Sequence, residues 1–286
     1  MRASDESNAE VLTRPVSRRG ALVLLGGLGL AVAGCSGGSD SSNATATTKG
    51  ASATSTTSTT TGATTTTGAA TTTVTDCTLI PEETGGPFPG DGSNGPNALA
   101  ENGVVRKDIR SSFDGMTGTA DGVPYTISFT VVDVGNGCKP LTGAAVYVWH
   151  ASREGAYSMY QQLADQNYLR GVQAVDANGL ASFTSIFPAC YDGRWPHVHF
   201  EVYPSVDAAK SGSNKLATSQ IALPKDVCDV VYATSGYSQS ASNLSRVSLA
   251  TDMVFSDGVA TQTPSMTGNV TSGYVSSLVV GVNANV

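Results

Sequence analysis

The stretch YTISFTVVD, residues 125–133, decides the fold class of this chain. Tyr125, Ile127 and Phe129 alternate with hydroxyl-bearing side chains, so large apolar residues recur at every second position. A period of two is the pattern of a β-strand that has one apolar face and one polar face. The stretch therefore predicts a strand packed on a core by one side only.

Further runs of the same kind follow, separated by Gly-, Asn- and Asp-rich turns. They are GAAVYVWH (143–150), LASFTSIF (180–187), HVHFEVY (197–203), ATSQIAL (217–223) and VSSLVVGV (275–282). A helical spacing of valines fits only residues 225–234. We expect residues 76–286 to form one mostly β domain, an antiparallel β-sandwich with few short helices.

The first 34 residues have the composition of an export signal. The twin arginines Arg18 and Arg19 precede an apolar run, residues 21–33, that is too short to span a bilayer. The run ends in VAGC, which suits lipid attachment to Cys35 and cleavage before it. We expect a twin-arginine lipoprotein signal in residues 1–34 and an exported protein anchored by Cys35 to the outer face of the cytoplasmic membrane.

Residues 35–75 are almost entirely Ser, Thr, Gly and Ala. Such a segment has too little apolar surface to order itself, so we expect a flexible linker between the anchor and the domain. Residues 1–34 contain four of the 16 basic and three of the 23 acidic residues, which leaves a net charge of −8 after cleavage. This acidic balance argues against a nucleic-acid partner.

Four cysteines remain beyond Cys35, an even number in a chain that is expected to reach an oxidising compartment. Two disulfides are expected, and four cysteines allow three pairings. We prefer Cys77 with Cys138 and Cys190 with Cys228. A cysteine metal site is disfavoured, because no CxxC pair is present.

Two of the three histidines, His197 and His199, lie two residues apart in a predicted strand. Alternation places both imidazoles and Glu201 on one side, lining a surface or cleft, with valine and phenylalanine on the core side. Two imidazoles on one strand face can start a metal site. Taken alone, the pair also fits a surface feature or a zinc or copper site.

Tyr157 and Tyr191 lie in loops that follow or precede predicted strands, and Arg194 lies in the turn that leads to His197. Phenolates are hard anionic oxygen donors, so two of them with two imidazoles favour a hard trivalent cation. Ferric iron, one ion per chain, is the expected occupant.

These segments resemble the intradiol ring-cleavage dioxygenases, the family of protocatechuate, catechol and hydroxyquinol dioxygenases. The resemblance runs from Cys77 to about Leu223. It is strongest in four segments: TGGPFPGDG (84–92), VRKDIR (105–110), VYVWHASREGAYS (146–158) and SIFPACYDGRWPHVHFEV (185–202).

The resemblance implies a role for six residues. The ferric ligands would be Tyr157, Tyr191, His197 and His199, the charge-stabilising arginine would be Arg194, and the family's glutamine would be Gln220. A catechol would displace Tyr191, which would accept a proton, and dioxygen would open the ring between the hydroxyl-bearing carbons to give a diacid.

Two other readings remain open from the sequence: a non-catalytic exported binding module, and a copper or zinc protein built on the histidine pair. His150 is expected to be structural, Trp195 to pack or to wall the pocket, and Arg194 has Asp192 as an alternative partner. Neither the particular catechol nor the oligomeric state is predicted.

Overall fold

A computed structural model describes residues 74–284 of the chain. The predicted export signal, the lipid anchor at Cys35 and the linker as far as residue 73 lie outside the described residues. Among residues 74–284, no helix combines the length and apolarity needed to cross a membrane.

Nine strands and two α-helices occur within the described residues. The strands are β1 (Pro124–Asp133), β2 (Lys139–Pro140), β3 (Ala145–Trp149), β4 (Arg170–Ala174), β5 (Leu180–Ile186), β6 (His197–Tyr203), β7 (Ala217–Ala222), β8 (Ser265–Asn269) and β9 (Gly273–Val282); the helices are α1 (Lys225–Tyr232) and α2 (Ser238–Leu244). The six runs predicted as strands and the helical segment are confirmed. The sequence did not reveal β2, β4, β8 or α2, because none of them has a clear apolar period.

The strands form two sheets. One has the order β2-β1-β9-β8 with β5 also paired to β1, and the other has the order β4-β3-β6-β7. The predicted sandwich with mainly antiparallel pairing is confirmed. One neighbouring pair, β1 and β9, is parallel, with Tyr125 beside Tyr274, so the last strand of the chain lies beside the first.

The apolar core lies between the two sheets. Phe129 of β1 and Phe200 of β6 contact each other with ring centroids 5.0 Å apart, and both side chains are fully buried. The alternation read in β1 therefore faces this core, as predicted. Each such fully buried side chain stabilises the fold by about 1.5–3 kcal/mol relative to exposure.

Strand β6 is buried on both of its faces, although its histidine side was expected to line a surface or cleft. All seven residues from His197 to Tyr203 are buried. A second apolar cluster, which includes Tyr147, Trp149 and Tyr157, covers the outer face of the smaller sheet. The histidines therefore lie beneath a layer of loops rather than on the domain surface.

One predicted disulfide is confirmed and the other is wrong. Cys77 and Cys138 are joined, with their Cα atoms 5.8 Å apart. Cys190 and Cys228 are free and buried. The Cys190 thiol is directed to the backbone oxygen of Arg194, 3.4 Å away, and Cys228 packs in the core on α1. Both behave as small apolar side chains, and no bond between them is needed to fix the turn.

Candidate functional site

A row of four side chains crosses the outer face of the smaller sheet. Arg170 of β4 lies opposite Trp149 of β3, Trp149 lies opposite His199 of β6, and His199 lies opposite Gln220 of β7. Residues directly opposite each other in an antiparallel pair share a face. His197 is on the same face two residues before His199, so the sheet itself fixes both imidazoles.

The two tyrosines reach this face from loops. Tyr157 follows β3, and Tyr191 lies in the turn between β5 and β6. Gly155 has a φ of +86°, and a Cβ atom at that position would be 3.3 Å from the Cβ of Tyr191. A side chain there would strain the backbone and crowd Tyr191, so this glycine lets the two loops approach each other.

The four predicted ligand atoms converge. The Tyr191 hydroxyl is 3.1 Å from His197 Nε2, and the Tyr157 hydroxyl is 3.3 Å from both of these atoms. His199 Nε2 is 3.1 Å from His197 Nε2. The structure thus brings together all four residues that the sequence singled out as ligands.

The two histidines are held in different ways. Nδ1 of His197 is 2.5 Å from the backbone oxygen of Trp195, a contact that places the proton on Nδ1 and leaves the Nε2 lone pair free. Nδ1 of His199 has no hydrogen-bond partner within the described residues. Its ring instead stacks on Trp149, with centroids 4.8 Å apart and planes 6° apart. Stacking therefore orients the second imidazole where a hydrogen bond orients the first.

Burial controls the protonation of these groups. It lowers the pKa of His197 to about 3, with a contribution from the charge of Arg194, and it lowers the pKa of His199 well below the usual value. Burial also raises the pKa of Tyr157, and the neighbouring Tyr191 raises it further. The pKa of Tyr191 is likewise raised by burial. The imidazoles are consequently neutral lone-pair donors, and the phenols need a nearby cation to ionise.

This donor set fits a ferric ion. Four of the six pairs of donor atoms are 3.1–3.3 Å apart, close enough for the donors to share one ion. Hard phenolate oxygens favour a trivalent cation. Among residues 74–284, no three His, Cys, Asp or Glu side chains form a group that could hold a metal. An ion at this point would therefore depend on the tyrosines.

Arg194 lies beside the four donors and is almost buried. Its Nη2 donates to Oε1 of Gln220 at 2.7 Å, and its Nε donates to Oδ2 of Asp252 at 2.9 Å. The alternative partner Asp192 is bound instead by Arg246, at 3.2 Å. Arg194 thus keeps a fixed orientation at the site.

Asp252 was missed by the sequence reasoning. Its carboxylate also accepts hydrogen bonds from the backbone N–H groups of Trp195 and Val254. Burial alone would raise the pKa of Asp252, but the bonds from Trp195 and Arg194 bring it below its usual value. A single aspartate 58 residues beyond Arg194 carries no local pattern that marks it as the partner.

Arg170 was also missed. It is fully buried and donates to Ser158 Oγ, the Tyr147 hydroxyl and the backbone oxygens of Phe88, Pro89 and Ser158. Its guanidinium therefore ties the loop that carries Tyr157 to the segment around Phe88. The sequence signal, LRG at the start of β4, is too short to identify such a role.

The segment around Phe88 covers the donors from above. A Cβ atom on Gly86 would be 3.5 Å from the His199 ring, and the Phe88 ring is 5.3 Å from that of Tyr157. Gln220 Nε2 donates to the backbone oxygen of Thr84 at 2.8 Å. Gln220 therefore joins Arg194 to this covering segment.

Three side chains at the edge of the site were also assigned places from the sequence. Glu201 does not line a cleft; it is fully buried and bonded to Tyr203 and Lys215. Trp195 packs in the core, where its Nε1 donates to the backbone oxygen of Leu223. His150 is structural, as expected, because its ring contacts Ser185 and the backbone of Ala151.

The chain is similar to known proteins in both sequence and structure. The sequence matches the family model described as Dioxygenase over residues 94–234, a range that contains all four donors, Arg194 and Gln220. The structure is similar to the intradiol ring-cleavage dioxygenase from Tetranychus urticae, at 25% identity and a TM-score of 0.56, over 73% of this chain and 96% of that one.

Two further solved structures are more distant. The dioxygenase domain of a carbohydrate-binding fusion protein from Streptomyces sp. SirexAA-E is 20% identical, with a TM-score of 0.45, over 72% of this chain and 99% of that one. Hydroxyquinol 1,2-dioxygenase from Pseudomonas putida DLL-E4 is 19% identical, with a TM-score of 0.42, over 64% and 63% of the two chains. The comparison with curated protein sequences gives no match.

Proposed function

The chain belongs to the intradiol ring-cleavage dioxygenases, and we propose that it uses one ferric ion, held by Tyr157, Tyr191, His197 and His199, to cleave catechol-type rings with dioxygen. The observation that supports this proposal is the convergence of two phenol oxygens and two imidazole nitrogens, with neighbouring donors 3.1–3.3 Å apart.

A ferric ion bound there would take up the two ring oxygens of the substrate and make the ring reactive toward dioxygen. The chain's own residues would then divide the remaining work. Tyr191 is partly exposed whereas Tyr157 is buried, so Tyr191 is the ligand that a substrate can displace. Its released phenolate would be placed to accept a proton from a substrate hydroxyl.

His197, His199 and Tyr157 would keep their positions during the reaction. The sheet fixes the histidines, and Tyr157 lies in a loop that Arg170 anchors through Ser158. Arg194, oriented by Asp252 and Gln220, would stabilise the negative charge that develops on the ring. The layer over the donors would limit access of water to the reacting ring.

The test is a panel of catechols incubated with the iron-loaded protein while oxygen uptake is recorded. We expect one dioxygen consumed per ring and a product of muconate type that contains both oxygen atoms. Iron-loaded protein that consumes no oxygen with catechol, protocatechuate or hydroxyquinol would contradict the proposal.

We also propose that the protein is exported and tethered through Cys35. The disulfide between Cys77 and Cys138 supports an oxidising compartment. Cys35→Ala should abolish incorporation of a labelled fatty acid and release the domain from the membrane fraction. Equal membrane partition of the variant and the unchanged protein would contradict the anchor.

A further inference from the structure

Glu83 is a partly buried carboxylate for which no ion pair occurs among residues 74–284. Its Oε1 accepts a hydrogen bond of 3.2 Å from Nε2 of Gln262. Gln262 is itself fully buried, and the same nitrogen is 3.2 Å from the backbone oxygen of Gln220. The Glu83 side chain is therefore held in place by a residue anchored to strand β7.

The backbone places Glu83 next to the proposed site. Its N–H donates to the backbone oxygen of Thr218 at 2.7 Å, so residue 83 runs along the edge of β7. The next residue, Thr84, accepts the bond from Gln220 that was described above. Arg194 and Asp252 both act electrostatically on the Glu83 carboxylate, although burial dominates and raises its pKa.

Arg194, the cation that acts on this carboxylate, is already engaged, because it is bound to Asp252. Arg170 lies beneath the site and directs its guanidinium to neutral oxygens. Asp257 adds a second negative charge that influences Glu83. The rim around Thr84 and Arg194 therefore has an uncompensated negative charge.

We propose that Glu83 selects substrates by charge, favouring catechols whose ring substituent is neutral or carries an ammonium group over catechols whose substituent is a carboxylate. This inference rests on the proposed function, since it assumes that a catechol binds at the four donors. The ring oxygens would point to the donors, and a substituent on the opposite side of the ring would point toward the exposed rim.

The expected size of the effect follows from Coulomb's law. One charge acting on another at about 7–10 Å across a partly hydrated rim changes a binding or rate ratio by roughly 3- to 10-fold. Removing the charge should therefore change selectivity between substrates more than it changes the reaction common to all of them.

The experiment compares catechol, protocatechuate and dopamine, which are neutral, anionic and cationic, with the unchanged iron-loaded protein and with Glu83→Gln. For each protein, kcat/KM is expressed relative to its own value for catechol, and anaerobic dissociation constants are measured in parallel. Glu83→Gln should raise the relative value for protocatechuate and lower that for dopamine, each by roughly 3- to 10-fold.

Glu82→Gln is the matched control. Glu82 is the preceding residue, is exposed, and directs its carboxylate to the backbone N–H of Thr218. The control removes the same charge one position away, and it should change either ratio by less than about 2-fold because an exposed charge is screened by solvent.

The outcomes separate this inference from the function on which it rests. Catechol turnover with both ratios unchanged in Glu83→Gln, or changed equally in Glu82→Gln, would overturn the role of Glu83 and leave the dioxygenase proposal intact. An unchanged protein that turns over none of the three catechols would overturn the proposed function, and the selectivity inference with it.

Discussion

The two sheets of this domain differ in what covers their outer faces. In the larger sheet the outer positions of β9, Val275, Ser277 and Val279, are exposed to solvent. In the smaller sheet every residue of β3, β6 and β7 is buried, whichever way it points. The outer face of the larger sheet is therefore in contact with water along β9, whereas these three strands of the smaller sheet are covered on both faces.

The difference explains where the polar side chains of each sheet act. The hydroxyl side chains on the outer face of β1 are half-exposed and can bind water. On the smaller sheet the polar side chains are buried, and a buried polar group is costly unless it has a partner. The burial of His197 and His199 beneath a cover therefore supports a binding role for these two residues. The hydroxyl side chains on the outer face of the larger sheet need no such role, because water can be their partner.

Tyr157→Phe should have the largest effect of these variants, because it deletes one proposed donor atom from the covered face. We expect loss of tyrosinate-to-iron absorption and a fall in kcat of more than about 10³-fold, beyond the loss caused by removing one transition-state donor. Tyr125→Phe, which removes a buried hydroxyl bonded to Ser276 in the larger sheet, is the control. It should keep its iron and its activity, and equal losses in both variants would contradict the assignment.

Arg194→Gln should lower kcat by roughly 10²- to 10³-fold while iron content stays close to one per chain, because the arginine is proposed to stabilise charge rather than to bind the metal. Arg246→Gln removes an arginine of the exposed surface whose partner is Asp192, and it should leave kcat within about 2-fold. Loss of iron from Arg194→Gln would show that Arg194 maintains the site rather than assisting the reaction.

Trp149→Leu should weaken ferric binding by roughly 10- to 100-fold, the loss typical of removing a group that orients a ligand. The Trp149 ring stacks on the imidazole of His199 and orients it, because Nδ1 of His199 has no hydrogen-bond partner among the described residues. Trp149→Phe retains an aromatic ring and should recover most of the affinity. Competition with a ferric chelator measures both variants, and equal affinities for the two would rule out stacking as the cause.

His150 joins the two sheets, since it follows β3 and contacts Ser185 of β5 at 2.6 Å. Burial lowers its pKa to about 4, below the value of about 6.5 expected when unfolded. The contribution of neutral His150 to the free energy of unfolding is therefore complete above the pKa of the unfolded state. It is lost as the pH falls through the pKa of the folded state.

Between about pH 6.5 and pH 4, the free energy of unfolding of the unchanged iron-free protein should therefore fall by roughly 1–3 kcal/mol more than that of iron-free His150→Gln. His197 and His199 are present in both proteins, so the difference isolates His150. Denaturant unfolding across this range measures it, and parallel pH profiles for the two proteins would contradict the buried neutral state.

The smallest effect is expected for Val279→Thr on the open face of β9, within about 0.5 kcal/mol of the unfolding free energy. Val280→Thr changes the next residue, which is fully buried, and should cost about 1–3 kcal/mol because its hydroxyl lacks a partner. Similar costs for both, in urea unfolding with the disulfide intact, would show that the outer face of the larger sheet is covered too.

Apolar runs bounded by turn residues predicted six strands, and alternation placed His197 and His199 on one face of β6. It could not predict that this face is buried, because the cover comes from loops whose own sequences have no period. The partners of Arg194 and the network of Arg170 depend on cross-strand register and distant segments. A second disulfide, between Cys190 and Cys228, was expected because the number of cysteines beyond Cys35 is even. An even number carries no information on where the thiols point, and both thiols are free.

The proposed chemistry depends on two tyrosines and two histidines binding one ferric ion together. This binding is measured by titrating the iron-free protein with ferric ion, followed by visible absorption and iron analysis. We expect saturation at one ion per chain, with a tyrosinate-to-iron band that disappears in both Tyr157→Phe and His197→Ala. Colourless protein at saturation, or a band that persists unchanged in these variants, would contradict it.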